Sequence, residues 1–128
     1  MAGEKILIVD DNPTNLKLVA YLMKANGYEV STAIDADAAI ADIQDKRPAL
    51  ILMDLQLPGV DGLELTRRLK ADPATRDIII VAVTAYAMKG DHDKAVAAGC
   101  DDYVTKPIDT RSLPDTIARH LNRSESPS

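Results

Sequence analysis

Five short apolar runs alternate with helical segments along the chain, and this alternation limits the possible folds more than any other feature. Three of the runs are almost continuously apolar, which is typical of strands buried on both faces of a parallel sheet. The run from Tyr28 to Ala33 alternates between apolar and polar residues and predicts a strand nearer the sheet edge. The five runs cover residues 5–10, 28–33, 49–54, 78–84 and 102–106.

The segments between the runs carry the signals that begin and end helices. Asn12 followed by Pro13 is typical of an N-cap and a first helical residue, and Gly27 and Gly99 are typical helix stops. Strand and helix in strict alternation predict a single α/β domain with a parallel sheet and right-handed crossovers. The predicted helices run from Pro13 to before Gly27, Asp37 to Lys46, Asp61 (as N-cap) to Asp72, about Gly90 to Ala98, and about Thr110 to Leu121.

Composition excludes several classes of protein. The core must be aliphatic because the chain has no Trp or Phe, and 128 residues suffice for one such core. The net charge of -5 gives no electrostatic reason to bind nucleic acid or an anionic membrane, so we expect neither as a partner.

The single cysteine, Cys100, excludes an internal disulfide, and no secretory pattern opens the chain, so we expect a cytoplasmic protein. We expect one domain over residues 1–121 and a flexible tail over residues 122–128.

Four of the five predicted strands end in a polar residue. The first strand ends in Asp10 and Asp11, the third in Asp54, the fourth in Thr84 and the fifth in Lys106. In a parallel sheet these ends meet at one edge, which is where α/β proteins bind ligands. Two carboxylates about 4 Å apart repel by about 4 kcal/mol at an effective dielectric constant near 20, so three together require a cation.

An all-oxygen site without His or Cys favours a hard dication, and Mg²⁺ fits best because it needs few protein ligands and retains waters that a phosphoryl group can replace. On this interpretation Asp54 is the nucleophile that forms an acyl phosphate. Lys106 and the metal offset phosphoryl charge, and Thr84 donates a hydroxyl hydrogen bond.

Each residue alone also has an ordinary structural explanation: "DDNP" as a helix-entry turn, Asp54 as a turn residue, Thr84 as a strand residue and Lys106 as a solvated lysine.

The motifs "ILIVDDN", "LILMDLQLPGVDGLEL", "VAVTAYA" and "AGCDDYVTKPI" occur in the order and spacing of the response-regulator receiver domain of bacterial two-component signalling. The chain resembles this family over about residues 4–121. The resemblance implies a flavodoxin-like, doubly wound, five-stranded sheet in the order 2-1-3-4-5 with five helices.

The resemblance also implies roles for individual residues. Asp54 would accept a phosphoryl group from a histidine kinase or a histidine phosphotransfer protein. Asp11, Asp54 and the backbone carbonyl of Gln56 would hold Mg²⁺, and Asp10 would hold a metal-bound water. Lys106, before the family's cis-proline position, would contact the phosphoryl group.

Two further consequences concern signalling. Thr84 and Tyr103 match the family's switch pair, which alters the surface formed by the fourth helix, the fifth strand and the fifth helix. Gln56 and Tyr86 match positions that tune dephosphorylation. We expect no output domain, so the chain resembles the single-domain, DivK-like type that acts by docking onto a downstream protein, or a phosphorelay shuttle.

Two alternatives use related chemistry. A haloacid-dehalogenase-like phosphatase also combines Asp, Thr, Lys and Mg²⁺, but it places Asp-x-Asp on its first strand, whereas Asp10 and Asp11 are adjacent here. A flavodoxin-like flavin carrier needs a Ser/Thr/Gly-rich phosphate loop after the first strand, where "DDNPTN" places acid. The sequence therefore favours a phosphoacceptor signalling protein over an enzyme.

Overall fold

The structure is a computed structural model of the chain and describes residues 3–55, 62–84, 89–105 and 108–125. None of the helices in these ranges is long and apolar enough to cross a membrane. Strands and helices alternate as predicted. The elements are β1 (Lys5–Val9), α1 (Pro13–Ala25), β2 (Glu29–Ala33), α2 (Ala36–Lys46), β3 (Leu50–Asp54), α3 (Gly62–Ala71), β4 (Ile79–Thr84), α4 (Lys89–Ala98), β5 (Asp102–Thr105) and α5 (Leu113–Glu125).

All five strands pair in parallel in one sheet, in the order β2-β1-β3-β4-β5. This confirms the predicted fold class and strand order. The alternating strand β2 lies at an edge, as predicted, and β3 lies at the centre with all five of its residues buried. Because the strands are parallel, the carboxyl ends of β1, β3 and β4 lie at the same edge of the sheet.

Helices cover both faces of the sheet, and successive strand residues supply the two cores. Leu7 and Ile51 belong to a buried cluster with residues of α2, α3 and α4. Their neighbours Ile8 and Leu52 belong to a second cluster with residues of α1 and α5. Both clusters are aliphatic, and the three inner strands β1, β3 and β4 are buried along almost their whole length and carry polar residues only at their ends.

Helix ends follow the local signals in the sequence. The Asn12 side chain accepts hydrogen bonds from the backbone N–H groups of Thr14 (2.9 Å) and Asn15 (3.3 Å), which confirms the predicted N-cap. Gly27 and Gly99 have φ angles of 92° and 103°, a left-handed conformation that favours glycine and stops α1 and α4.

The boundaries predicted for the last helix are wrong at both ends. Helix α5 begins at Leu113 instead of Thr110, because the Asp109 side chain accepts the Arg111 N–H (2.9 Å) and holds the preceding residues in a turn. It continues to Glu125 because no Gly or Pro lies between Pro114, which the first turn tolerates, and Pro127. Residues 122–125 of the expected tail are therefore helical, and residues 126–128 lie outside the described part of the chain.

A polar contact attaches α5 to the sheet. His120 Nε2 on α5 lies 2.7 Å from Asp102 Oδ2 at the start of β5. Burial acts to raise the pKa of Asp102, but the hydrogen bonds from His120 and from the Tyr103 N–H outweigh it and lower that pKa. Asp102 is therefore a charged partner for His120 at neutral pH.

The buried centre of the sheet can be tested by shortening one side chain. Replacing Ile51, which is 0% exposed, with Ala should lower the free energy of unfolding by about 2–5 kcal/mol because a cavity remains in the core. The matched control Ile34→Ala removes the same atoms at a site that is 57% exposed, and it should cost less than about 0.5 kcal/mol. Urea denaturation measures both, and equal losses would contradict this placement of β3.

Candidate functional site

Strand register brings the predicted site residues to one edge of the sheet. Val9 of β1 pairs with Met53 of β3, so the next residues along, Asp10 and Asp54, are neighbours. Asp54 in turn pairs with Val83 of β4, and Thr84 ends that strand. Residues that are far apart in sequence therefore share one site.

The acidic side chains converge there as the sequence predicts. One carboxylate oxygen from each of Asp10, Asp11 and Asp54 lies within 4.8 Å of the other two. Asp54 is 1% exposed and Asp10 is 5% exposed, whereas Asp11 is exposed to solvent. Across the described residues, no other three His, Cys, Asp or Glu side chains come together in this way.

The first turn of α1 fixes the orientation of the Asp10 carboxylate. The Asn12 N–H donates to Asp10 Oδ1 at 2.9 Å, and the Asn15 side-chain amide donates to Oδ2 at 3.4 Å. The backbone N–H of Asp10 also donates to the Ala33 carbonyl of β2 (3.0 Å). Asp10 is thus held on both its main chain and its side chain, and Asn12 caps the helix and orients the carboxylate at once.

This donor set suits a hard dication. Three carboxylates in a largely buried site repel one another strongly, and Asp10 and Asp54 have little water to screen them. Their oxygens are close enough together to share one ion, and oxygen-only ligands favour Mg²⁺ or Ca²⁺ over softer metals. The residues present therefore fit the magnesium ion that the sequence suggests.

The predicted switch residues lie on the same face of neighbouring strands. Tyr103 pairs with Ala82, and Ala82 and Thr84 point to the same side of β4 because they are two residues apart. Thr84 is 2% exposed, while Tyr103 is half-buried and lines a cavity of about 90 Å³ beside α4 with Cys100 and other residues. Thr84 ends β4 at the acidic site, and Tyr103 lies one strand further along the sheet, on β5 beside α4.

Several predicted residues fall outside the described part of the chain. Gln56, Asp61, Tyr86, Lys106 and the Lys106-Pro107 bond belong to this group. Their roles as metal ligand, helix cap, dephosphorylation determinant and phosphoryl contact remain predictions.

Sequence reasoning missed Gly62, the first residue of α3. A Cβ atom on Gly62 would lie 2.4 Å from the Asp54 carbonyl oxygen and 2.8 Å from Leu55 Cα, closer than any side chain tolerates. The Gly62 N–H also donates to the Leu55 carbonyl, at 3.4 Å. Only glycine lets α3 begin directly against the main chain of Asp54. A glycine where a helix begins was the available signal, but the contact depends on how the chain returns to β3.

Comparison with known proteins assigns the chain to one family. The sequence pattern of the "Response regulator receiver domain" family matches residues 6–118. The chain is 43% identical over 118 residues to "Polar-differentiation response regulator DivK" of Brucella anthropi, covering 92% of this chain and 96% of the relative. The protein of that name from Brucella ovis is 42% identical with the same coverage.

Solved structures agree with the sequence matches. A putative response regulator from Chloroflexus aurantiacus superimposes with a TM-score of 0.90 at 30% identity, covering 94% of this chain and 99% of that one. A CheY-like receiver domain protein from Methanospirillum hungatei gives a TM-score of 0.89 at 31% identity, covering 97% and 98%.

The contact at Gly62 predicts an unusual sign for a helix substitution. Replacing glycine with alanine in a helix ordinarily stabilises it by up to about 1 kcal/mol. Gly62→Ala should instead lower the free energy of unfolding by about 1–3 kcal/mol, because the added methyl group overlaps the main chain of Asp54 and Leu55. Urea denaturation gives the sign directly, and a stabilised variant would refute this account of the start of α3.

Proposed function

We propose, since the chain belongs to the response regulator receiver domain family, that it accepts a phosphoryl group on Asp54 in a Mg²⁺-dependent reaction and thereby switches its contacts with other proteins. The observation that carries this proposal is the cluster formed by Asp10, Asp11 and Asp54, with Asp54 almost fully buried. The similarity to DivK, which covers 92% of this chain and 96% of that protein, supports the proposal that the chain is a receiver of the single-domain type. Receiver domains are signalling proteins, and we propose no substrate turnover for this one.

In the proposed reaction an Asp54 carboxylate oxygen attacks the phosphorus of a phosphohistidine. An oxygen–phosphorus bond forms, the phosphorus–nitrogen bond breaks, and the released imidazole takes up a proton. The product is an acyl phosphate, which hydrolysis later returns to the carboxylate. When bound, Mg²⁺ would neutralise part of the charge on the phosphoryl oxygens.

The residues of the chain supply position and charge. Asp10, oriented by Asn12 and Asn15, and the exposed Asp11 would hold the metal beside Asp54, with Asp10 acting through a water. Thr84, at the end of the neighbouring strand, would donate its hydroxyl to a phosphoryl oxygen. We propose that Gln56 adds a backbone carbonyl to the metal and that Lys106 adds a cation, as the family resemblance implies.

We propose protein partners only. The phosphoryl donor would be a sensor histidine kinase or a histidine phosphotransfer protein, as membership of the family implies. The downstream partner would bind the surface of α4, β5 and α5, to which Tyr103 belongs. The net charge of -5 supports a function that requires neither nucleic acid nor membrane, and we propose a cytoplasmic location.

Labelling with acetyl phosphate tests this function. In the presence of Mg²⁺, intact-protein mass spectrometry should detect one phosphoryl group per chain. No phosphoryl group should be taken up when EDTA removes the metal or when Asp54 is replaced in Asp54→Asn. The matched control is Asp35→Asn, which removes a carboxylate just beyond β2 at the same edge of the sheet. Asparagine caps a helix as well as aspartate does, so this variant should fold and label normally.

Two results would overturn the proposal. Full labelling of Asp54→Asn would show that another residue is the acceptor. Sustained release of phosphate from a generic phosphate ester, instead of a single stoichiometric label, would favour a phosphatase of the haloacid-dehalogenase type.

A further inference from the structure

We propose that Thr66 and Cys100 are positioning residues that set the rate of phosphoryl acceptance by holding Gly62 against the main chain of Asp54. This inference rests on the proposed function and assigns that site two residues that never touch the phosphoryl group. Three sets of contacts connect these two residues to Asp54, and each is seen independently of the others.

The first link is a buried hydroxyl in α3. Thr66 is 0% exposed, and its Oγ1 donates to the Gly62 carbonyl at 2.7 Å. Gly62 is the residue with no room for a Cβ beside the Asp54 carbonyl. The hydroxyl therefore fixes the helical turn that packs against the acceptor.

The second link comes from the segment between α4 and β5. The Cys100 thiol lies 4.0 Å from Thr66 Oγ1 and is placed to donate a weak hydrogen bond to it. Burial, together with the charge of Asp101, raises the pKa of Cys100 and outweighs the Thr66 hydrogen bond and Lys70, which lower it. The thiol therefore keeps the proton that this contact needs at neutral pH.

The third link anchors Cys100 itself. The neighbouring carboxylate of Asp101 accepts hydrogen bonds from Lys70 Nζ at 2.9 Å and from the Ile80 N–H at 2.8 Å through the same oxygen, Oδ2. These bonds attach the segment both to α3 and to β4. Cys100 is thus held in place from the next residue along the chain.

The rate of the reaction at Asp54 is more sensitive to small shifts in atomic position than the free energy of unfolding is. A misplacement of about 1 Å can slow a reaction by about a hundredfold, because reacting atoms must approach within a narrow range. Valine has the shape of threonine but cannot hydrogen-bond to either the Gly62 carbonyl or the Cys100 thiol. The loss should therefore appear in the rate at which Asp54 is labelled as well as in the unfolding curve.

The experiment compares Thr66→Val with Thr66→Ser and with the matched control Thr75→Val. Thr75 Oγ1 donates to the Leu69 carbonyl at 2.6 Å, a bond of the same kind at the opposite end of α3. Labelling by acetyl phosphate in Mg²⁺ should be about tenfold slower in Thr66→Val, within a scale set by small misplacements. Thr66→Ser, which retains the hydroxyl, and Thr75→Val should stay within about twofold of the unmodified protein, a difference of roughly 0.4 kcal/mol in barrier.

Mg²⁺ affinity, measured by calorimetry without a phosphoryl donor, is the second readout. It should weaken in Thr66→Val and not in Thr75→Val, because only the first change shifts Asp54. Should Thr66→Val fail to fold, Cys100→Ala takes its place and should slow labelling in the same direction.

The outcomes separate the two proposals. If the unmodified protein takes no label, the proposed function fails, and Mg²⁺ affinity alone then decides the positioning role. If the unmodified protein is labelled and Thr66→Val keeps its rate and Mg²⁺ affinity, the positioning role is refuted. Equal slowing in Thr75→Val would refute it as well, since the effect would then follow general stability.

Discussion

Three carboxylates crowd together at one edge of the sheet, and their mutual repulsion governs what this site can bind. Asp54 ends a strand that is buried along its whole length, and Asp10 follows the adjacent strand. Two unit charges about 4 Å apart repel by about 4 kcal/mol at an effective dielectric constant near 20, and a buried group has few waters to reduce this. A dication is the natural compensation, and the same arrangement presents a nucleophile beside a metal.

The scaffold keeps these charges from moving apart. Strand β3 is clamped between β1 and β4, with one core on each face, so Asp54 cannot move toward water without disrupting both cores. Asp10 is tethered by the first turn of α1, and Gly62 packs against the main chain of Asp54. The packing therefore holds the carboxylates of Asp10 and Asp54 close together despite their repulsion. Such a site can exchange its ligands while the protein around it keeps one conformation.

Much of this architecture follows from local sequence rules. Continuous apolar runs identified the buried strands, alternation identified the edge strand β2, and the polar residues that end the strands identified the site. Strand order came from the family resemblance, because periodicity does not say which strands are neighbours. The missed features are contacts between distant segments. The fit of Gly62 against Asp54 and the pairing of His120 with Asp102 depend on how helices return to the sheet, which no local pattern encodes.

The shared metal site is tested by the free energy of unfolding as a function of Mg²⁺ concentration, measured for the unmodified protein and for Asp11→Asn. Binding to the folded state alone adds RT ln(1 + [Mg²⁺]/Kd) to stability. Mg²⁺ should stabilise the unmodified protein and have much less effect on the variant. Without Mg²⁺ the variant should be at least as stable as the unmodified protein, since one repelling charge is gone. An equal rise with Mg²⁺ in both proteins would contradict the shared site.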